Sequence, residues 1–267
     1  MGESRRMLRL AYSQGVRSVI ATPHYSDEFR NDSPGLVLKK CRELESWAEK
    51  RLEPGFRVYP GQEIFASCHM WEKLERRELL TMAYSSCILL EFLPSVSFTE
   101  LYQTVRKAAM SPYRPILAHV ERYRKLREKG RPEELIEAGA MLQMNYQPIG
   151  GKWYEERTRW CRRMLKDGYI HFLGTDMHGV RKRAPETEAA MQWMKKHLDE
   201  SYLEDIKAIV NPLDQTLRSL VDTDEEADKY MNIVFELCTA YERQSYIERL
   251  KVGARLMVEL MEGECSL

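Results

Sequence analysis

Acidic and imidazole side chains stand at the predicted ends of successive short strands in this sequence. They are His24, Glu63, Glu91, His119, Asp176 and His178. Carboxylate and imidazole ligands together suit Mn²⁺, Fe²⁺ or Zn²⁺, and the ligand types alone do not choose among these metals. Three carboxylates packed together repel one another strongly unless a cation lies between them. The set therefore predicts a divalent metal site.

Two of these residues leave the same predicted strand. Residues 169–175 form a short apolar and β-branched run, which predicts a buried strand that continues to Asp176 and His178. Residues i and i+2 of an extended chain point the same way, so this carboxylate and imidazole are expected side by side. The alternative is a turn in which Asp176 caps the next segment.

The other candidates differ in how readily a structural role explains them. His24 and Glu63 have the alternative of capping a loop or a helix, whereas Glu91 lies in an apolar run, where an unpaired carboxylate is costly. His119 also follows an apolar run, although histidines with satisfied hydrogen bonds are common in cores. A carboxylate such as Glu63 has the chemistry to bridge two metals about 3.5–4 Å apart, which activate water and stabilise a phosphoryl group.

Two arginines follow the candidate ligands closely. Arg122 lies three residues after His119, and Arg183 lies five residues after His178. An arginine fork matches two phosphate oxygens at once. Both side chains are therefore candidates for substrate binding, with ordinary surface charge as the alternative.

The elements that must position these residues alternate strictly between strand and helix. Seven short apolar strands are predicted, one of them over residues 57–65 and the last over 206–210, and their polar residues are His24, Glu63, Glu91, His119, Asn145, Asp176 and Asn211. Such alternation predicts βα units and a parallel sheet, either as a closed barrel or as an open sheet, in which the carboxyl ends of the strands share one edge. No glycine-rich phosphate loop follows a strand, so nucleotide-binding versions of the fold lose support.

Composition restricts the function classes further. The 267 residues include 41 basic and 41 acidic side chains, so the net charge is zero and nothing indicates a nucleic-acid partner. No apolar stretch approaches the roughly 20 residues of a membrane span, and the N-terminus does not read as a signal peptide. The six cysteines are scattered, which predicts reduced thiols in a cytoplasmic protein.

The pattern changes after about residue 221. Residues 222–267 begin with an acidic segment and then carry apolar side chains at spacings of three and four, which predicts amphipathic helices. We expect two parts: a barrel over residues 1–221 and a helical extension over 222–267. The extension is expected to pack on the barrel or on a second copy of the chain, so a homo-oligomer is possible.

Five short motifs resemble one known family. They are residues 21–25 (ATPHY), 61–64 (GQEI), 90–92 (LEF), 118–123 (AHVERY) and 175–178 (TDMH). Their order and spacing over about residues 3–220 resemble the bacterial capsular-polysaccharide-type protein-tyrosine phosphatases of the polymerase and histidinol phosphatase (PHP) superfamily. The resemblance implies a distorted (β/α)7 TIM-like barrel and up to three metal ions, commonly manganese.

The resemblance also implies roles for the candidate residues. It implies that Glu63 bridges two metals, one of them held by Glu91 and His119 and the other by Asp176. It implies that His24 and His178 hold a third metal, and that Arg122 and Arg183 grip the phosphate of phosphotyrosine. The usual substrate of the family is a tyrosine kinase that controls export of capsule or exopolysaccharide.

The sequence departs from the family pattern at its front. Family members begin with a strand carrying His-x-His and a following Asp-Asp-Gly, and neither motif occurs near Met1. The first strand and three ligands are therefore expected to be missing, through a late start or a truncation.

Three functions compete on these grounds. The first is a metal-dependent phosphotyrosine phosphatase, and the second is a phosphatase of histidinol phosphate or another small phosphoester. The third is an inactive barrel that binds a partner or oligomerises. A cysteine-dependent tyrosine phosphatase is disfavoured, because no cysteine is followed by an arginine six positions later.

Overall fold

The computed structural model describes residues 2–28, 32–180, 184 and 187–205. Three expectations lie outside these residues: the strand over 206–210 with Asn211, the placement of Arg183, and the extension over 222–267. Within the described residues, no helix is long and apolar enough to cross a lipid bilayer.

Short parallel strands form the centre of the fold. They are β1 (Ser18–Ala21), β2 (His24–Tyr25), β3 (Arg57–Pro60), β4 (Glu63–Phe65), β5 (Cys87–Glu91), β6 (Arg114–Leu117), β7 (Met141–Asn145) and β8 (Phe172–Gly174). Six of them form one sheet in the order β2-β4-β5-β6-β7-β8, and β1 pairs with β3. Every pairing is parallel, as the alternation of strands and helices predicts.

Helices connect the strands. They are α1 (Gly2–Ser13), α2 (Pro34–Arg51), α3 (Met70–Glu75), α4 (Phe98–Ala109), α5 (Arg131–Glu137), α6 (Tyr146–Ile149), α7 (Glu156–Lys166), α8 (Glu188–His197) and α9 (Glu200–Asp205). Local chemistry starts the longer ones, since Ser33 caps α2 and Ser97 caps α4 through side-chain oxygens that accept backbone N–H groups. Short 3-10 helices follow β6 at Val120–Arg122 and Arg124–Arg127.

A row of aliphatic side chains crosses the sheet and fixes its register. Ile64, Leu90, Leu117 and Leu142 are direct neighbours on β4 to β7, and all four are fully buried. They belong to the cluster that includes buried residues of α4 and α5. Because side chains alternate along a strand, the residues next to them point to the opposite, concave face of the sheet. That face carries a smaller apolar cluster of Leu89, Ile116 and Ala118.

A second buried cluster holds the N-terminal part of the chain. Leu8 of α1 packs with Val37 and Leu44 of α2 and with Val58 of β3. Each fully buried aliphatic side chain of this kind contributes about 1.5–3 kcal/mol. The strand pair β1-β3 is therefore packed beneath α1 and α2.

The barrel prediction is correct only at a coarser level. The chain has a mixed α/β fold with a curled parallel sheet that forms a half-barrel. In the described residues, neither β2 nor β8 at the two ends of the six-stranded sheet pairs with a further strand. The expected first strand is not tested by these residues.

Three local predictions need correction. The strand expected over 57–65 is split at Gly61, where an added Cβ would lie 3.0 Å from the Met82 sulfur and 3.2 Å from Ile20 Cγ2. The strand expected to carry His119 ends at Leu117, and His119 itself is left-handed with φ 35°. The strand expected to run into Asp176 ends at Gly174, and Asp176 has φ 50°.

Candidate metal centre

The strands bring the predicted ligands to one edge of the sheet. His24 of β2 lies opposite Glu63 of β4, and β4 pairs in turn with β5, which ends at Glu91. His119 comes two residues after β6, and Asp176 comes two residues after β8. Glu91, His119 and Asp176 thus lie at or just after carboxyl ends of strands, whereas His24 and Glu63 begin the short strands β2 and β4. Parallel pairing brings these side chains, which are distant in sequence, to one place.

Two carboxylates form the middle of the cluster. His24 Nδ1 lies 3.1 Å from Glu63 Oε2 and 3.2 Å from Glu91 Oε2. His119 Nε2 lies 2.8 Å from Glu63 Oε1 and 3.2 Å from Glu91 Oε1. One ligand atom from each of His24, Glu63 and Glu91 lies within 4.8 Å of the others, which is a spacing that suits a single metal ion.

His119 is the most deeply enclosed of these side chains. It is 2% exposed, its Nε2 faces the Glu63 and Glu91 carboxylates, and its Nδ1 is buried without a hydrogen-bond partner among the described residues. A cation bound among the carboxylates would take this Nε2 as a ligand.

Asp176 and His178 form the second half of the cluster. His178 Nδ1 lies 3.5 Å from Asp176 Oδ1 and 2.9 Å from the Asp176 carbonyl oxygen. The two side chains are thus adjacent, as expected, but a left-handed turn places them together rather than an extended strand. His178 Nε2 lies 3.1 Å from His24 Nε2, so His24 stands between the carboxylate pair and His178.

Arg122 closes the cluster on one side. Its Nη2 donates to Asp176 Oδ2, and its Nη1 lies 3.8 Å from Glu91 Oε1. The guanidinium therefore links the end of β8 to the end of β5. In this arrangement it neutralises part of the negative charge of the carboxylates.

The charges of the cluster shift several pKa values. Burial lowers the pKa of His119, but the neighbouring Glu63 and Glu91 carboxylates outweigh burial and raise it to about 9. A hydrogen bond to Glu91 raises the pKa of His24 against a smaller effect of burial. Burial raises the pKa of Glu91, yet His119 and His24 outweigh it and hold that pKa well below its usual range. The carboxylates thus favour the protonated form of both imidazoles.

Sequence reasoning did not single out Glu121. This residue is 2% exposed, and Oε1 accepts a bond of 3.3 Å from Arg157 Nη2. Burial raises the pKa of Glu121. Glu121 lies between His119 and Arg122 in the motif. A glutamate next to an arginine gives no sequence signal of burial, so no pattern in the sequence indicated that Glu121 is buried.

Known proteins resemble this chain over most of its length. The family model "Capsular polysaccharide synthesis, CpsB/CapC" matches residues 1–215. The tyrosine-protein phosphatase YwqE of Bacillus subtilis (strain 168) is 30% identical over 201 residues, which cover 73% of this chain and 76% of YwqE. The tyrosine-protein phosphatase CpsB of Streptococcus agalactiae serotype III (strain NEM316) is 28% identical over 192 residues, covering 68% of this chain and 77% of CpsB.

A solved structure agrees with these relatives. It is a chain from the crystal structures of YwqE from Bacillus subtilis and CpsB from Streptococcus pneumoniae, described as unique metal-dependent tyrosine phosphatases. The match has a TM-score of 0.70 at 28% identity and covers 78% of this chain and 85% of the solved one. The family match over most of the chain confirms the resemblance carried by the five motifs: this protein belongs to the CpsB/CapC family of capsular polysaccharide synthesis proteins.

Proposed function

We propose that this protein is a metal-dependent phosphatase that hydrolyses phosphotyrosine on a protein. The observation that carries the proposal is the convergence of His24, Glu63, Glu91 and His119 at one edge of the sheet, with contacts of 2.8–3.2 Å between imidazole nitrogens and carboxylate oxygens. Relatives with the same family match are named tyrosine-protein phosphatases, which supports the choice of substrate.

The donor set suits a divalent cation. Oxygen and imidazole ligands without thiolates suit Mn²⁺, Fe²⁺ or Zn²⁺, and we propose Mn²⁺ because the family resemblance implies it. Buried His119 fits the same role, because its Nε2 faces both the Glu63 and the Glu91 carboxylates. A bound divalent ion lowers the pKa of water and offsets negative charge on a phosphoryl group.

The side chains of this protein have distinct roles in the proposal. Glu63 is central, because its two oxygens face different imidazoles, Oε2 toward His24 and Oε1 toward His119. We assign metal binding to these three residues and to Glu91, Asp176 and His178.

Arg122 is proposed to bind the phosphate of the substrate. Its guanidinium lies beside Asp176 and Glu91, at the same edge of the sheet as the proposed ligands. A phosphate that enters the site offers this fork two oxygens at once. Arg183 is assigned the same role from its place in the sequence, five residues after His178.

Substrate and setting follow from the family. We propose that the substrate is a phosphorylated tyrosine kinase that controls synthesis of capsule or exopolysaccharide in the cytoplasm. We also propose that the half-barrel belongs to a distorted (β/α)7 barrel.

A hydrolysis assay tests the proposal on the full chain. We expect release of phosphate from a phosphotyrosine peptide that requires added Mn²⁺, stops with chelator and exceeds release from histidinol phosphate. His119→Ala should remove most of the activity, and His197→Ala, which changes an exposed histidine on α8, should not. Hydrolysis that survives both chelator and His119→Ala would overturn the mechanism, and faster release from histidinol phosphate would overturn the substrate.

A further inference from the structure

Two proposed ligands occupy strained backbone conformations. His119 has φ 35° and Asp176 has φ 50°, and neither is a glycine. A non-glycine residue in this region is destabilising and persists only where surrounding contacts hold it. The contacts that hold these two residues therefore determine how the site is arranged.

Two side-chain amides on β7 connect them. The His119 backbone N–H donates to Gln143 Oε1 at 2.5 Å, and Gln143 Nε2 donates to Asn145 Oδ1 at 3.0 Å. Asn145 Nδ2 then donates to Asp176 Oδ2 at 3.2 Å. Gln143 and Asn145 are two residues apart on a strand, so both point to the concave face of the sheet. We call this chain of three hydrogen bonds the amide relay.

The surroundings of the amide relay are shaped to hold it. The Asn145 backbone N–H donates to Oε2 of buried Glu121 at 3.4 Å, and Arg157 pairs with the other oxygen of that carboxylate. A Cβ added at Gly174 would lie 2.5 Å from Gln143 Nε2. Only glycine therefore leaves room on β8 for the Gln143 amide.

We propose that Gln143 and Asn145 are positioning residues of the metal site. The amide relay fixes the backbone that carries His119 and the carboxylate of Asp176 relative to each other. Its hydrogen bonds run in one direction, because the Asp176 carboxylate only accepts and the His119 N–H only donates. This inference rests on the proposed function and extends it, since the ligands of a metal site are oriented by the groups that hydrogen-bond to them.

Metal affinity gives the first test. Mn²⁺ binding to the full chain is measured by isothermal titration calorimetry for wild type, Gln143→Met and Asn145→Leu, two neutral changes of similar size. Each variant is expected to bind Mn²⁺ about 10–100-fold more weakly. Gln192→Met is the matched control, because Gln192 is exposed on α8 and its side chain donates to Glu188 of the same helix. Its affinity should equal that of wild type.

A double-mutant cycle separates a connected relay from two independent contacts. If the amide relay acts as one unit, the double variant should lose no more Mn²⁺ affinity than the single variant that loses more of it. Losses that multiply in the double variant would overturn the connection between the two amides.

Amide hydrogen exchange supplies a readout without metal. In chelator, exchange at the His119 N–H is expected to accelerate about fivefold or more in Gln143→Met, which loses the acceptor. It should also accelerate in Asn145→Leu, which leaves that acceptor in place but frees the Gln143 side chain. An unchanged rate in Asn145→Leu would contradict the relay.

The outcomes separate this inference from the proposed function. Wild-type protein that binds no Mn²⁺ refutes the metal site itself, and the positioning role with it. Wild-type protein that binds Mn²⁺ with both variants within twofold of it refutes the positioning role alone. If a variant does not fold, Gly174→Ala replaces it, since the added methyl group displaces the Gln143 amide and should weaken Mn²⁺ binding by at least about tenfold.

Discussion

Loss of the His119 imidazole should cost the metal-free protein more stability at pH 6 than at pH 9.5. The Glu63 and Glu91 carboxylates outweigh burial and raise the pKa of His119 from its ordinary value of 6.5 to about 9 in the folded state. The protonated imidazole is therefore favoured in the folded chain. Its contribution is fully present below pH 6.5 and is lost as the pH rises through 9.

The size of the effect follows from the same shift. Each pKa unit corresponds to about 1.4 kcal/mol, so a rise from 6.5 to about 9 is worth up to about 3 kcal/mol of unfolding free energy. His119 is 2% exposed, so solvent does little to screen this interaction. This contribution is large compared with the net free energy of unfolding of a typical domain, which is about 5–15 kcal/mol.

Urea unfolding in the presence of chelator measures the effect. Wild type, His119→Gln and the exposed control His197→Gln are compared at pH 6 and at pH 9.5. The cost of His119→Gln should be greater at pH 6 than at pH 9.5 by up to about 3 kcal/mol, and it is compared with the cost of His197→Gln at the same two pH values. An equal cost of His119→Gln at both pH values would refute the placement of this imidazole between the carboxylates.

Three further predictions test the core, the thiols and the substrate site. Leu90→Ala should lower the free energy of unfolding by about 2–5 kcal/mol in urea denaturation, because Leu90 is fully buried. Leu93→Ala, at an exposed position, should lower it little, and similar losses for the two variants would contradict the assigned register. Burial raises the pKa of Cys41 to about 11, so iodoacetamide at pH 8 should modify exposed Cys68 well before Cys41. Mass spectrometry measures the order of modification, and the reverse order would contradict the burial of Cys41. Arg122→Lys should raise the KM for a phosphotyrosine peptide by about tenfold in steady-state kinetics, since lysine lacks the fork; an unchanged KM would argue against phosphate binding by Arg122.

The parallel sheet could be predicted from the sequence because the patterns that indicate it are local. Short apolar runs alternate with helical patterns, and polar residues stand where the runs end. Parallel strands bring those ends to one edge whatever the details of the packing. That is why the proximity of Glu63, Glu91 and His119 could be expected without coordinates.

The backbone at the site could not be predicted in the same way. Positive φ values at His119 and Asp176 depend on tertiary contacts. Histidine and aspartate are enriched among non-glycine residues with positive φ, but such residues are only a few per cent of all non-glycine residues, so the residue type does not predict the conformation. The expected extended path through Asp176 was therefore wrong, although its side chain still lies beside His178.

The hydrogen bonds across the sheet were also invisible in the sequence. Gln143 lies two residues before Asn145, so strand alternation could have placed both amides on one face. Only the structure reveals that the space above Gly174 admits the Gln143 side chain. The closure of the barrel is a long-range property of the same kind. The alternation of strands and helices left a closed barrel and an open sheet as alternatives, the family resemblance implied a (β/α)7 barrel, and the described strands form a half-barrel.

The central claim is that carboxylates and imidazoles from separate strands bind a divalent cation together. A crystal of the full chain soaked in Mn²⁺, with anomalous diffraction recorded at the manganese edge, tests it most directly. We expect a strong anomalous peak within bonding distance of Glu63 and Glu91, in contact with His119 or His24. A map without a peak at these side chains, or with manganese only at other surfaces, would contradict it.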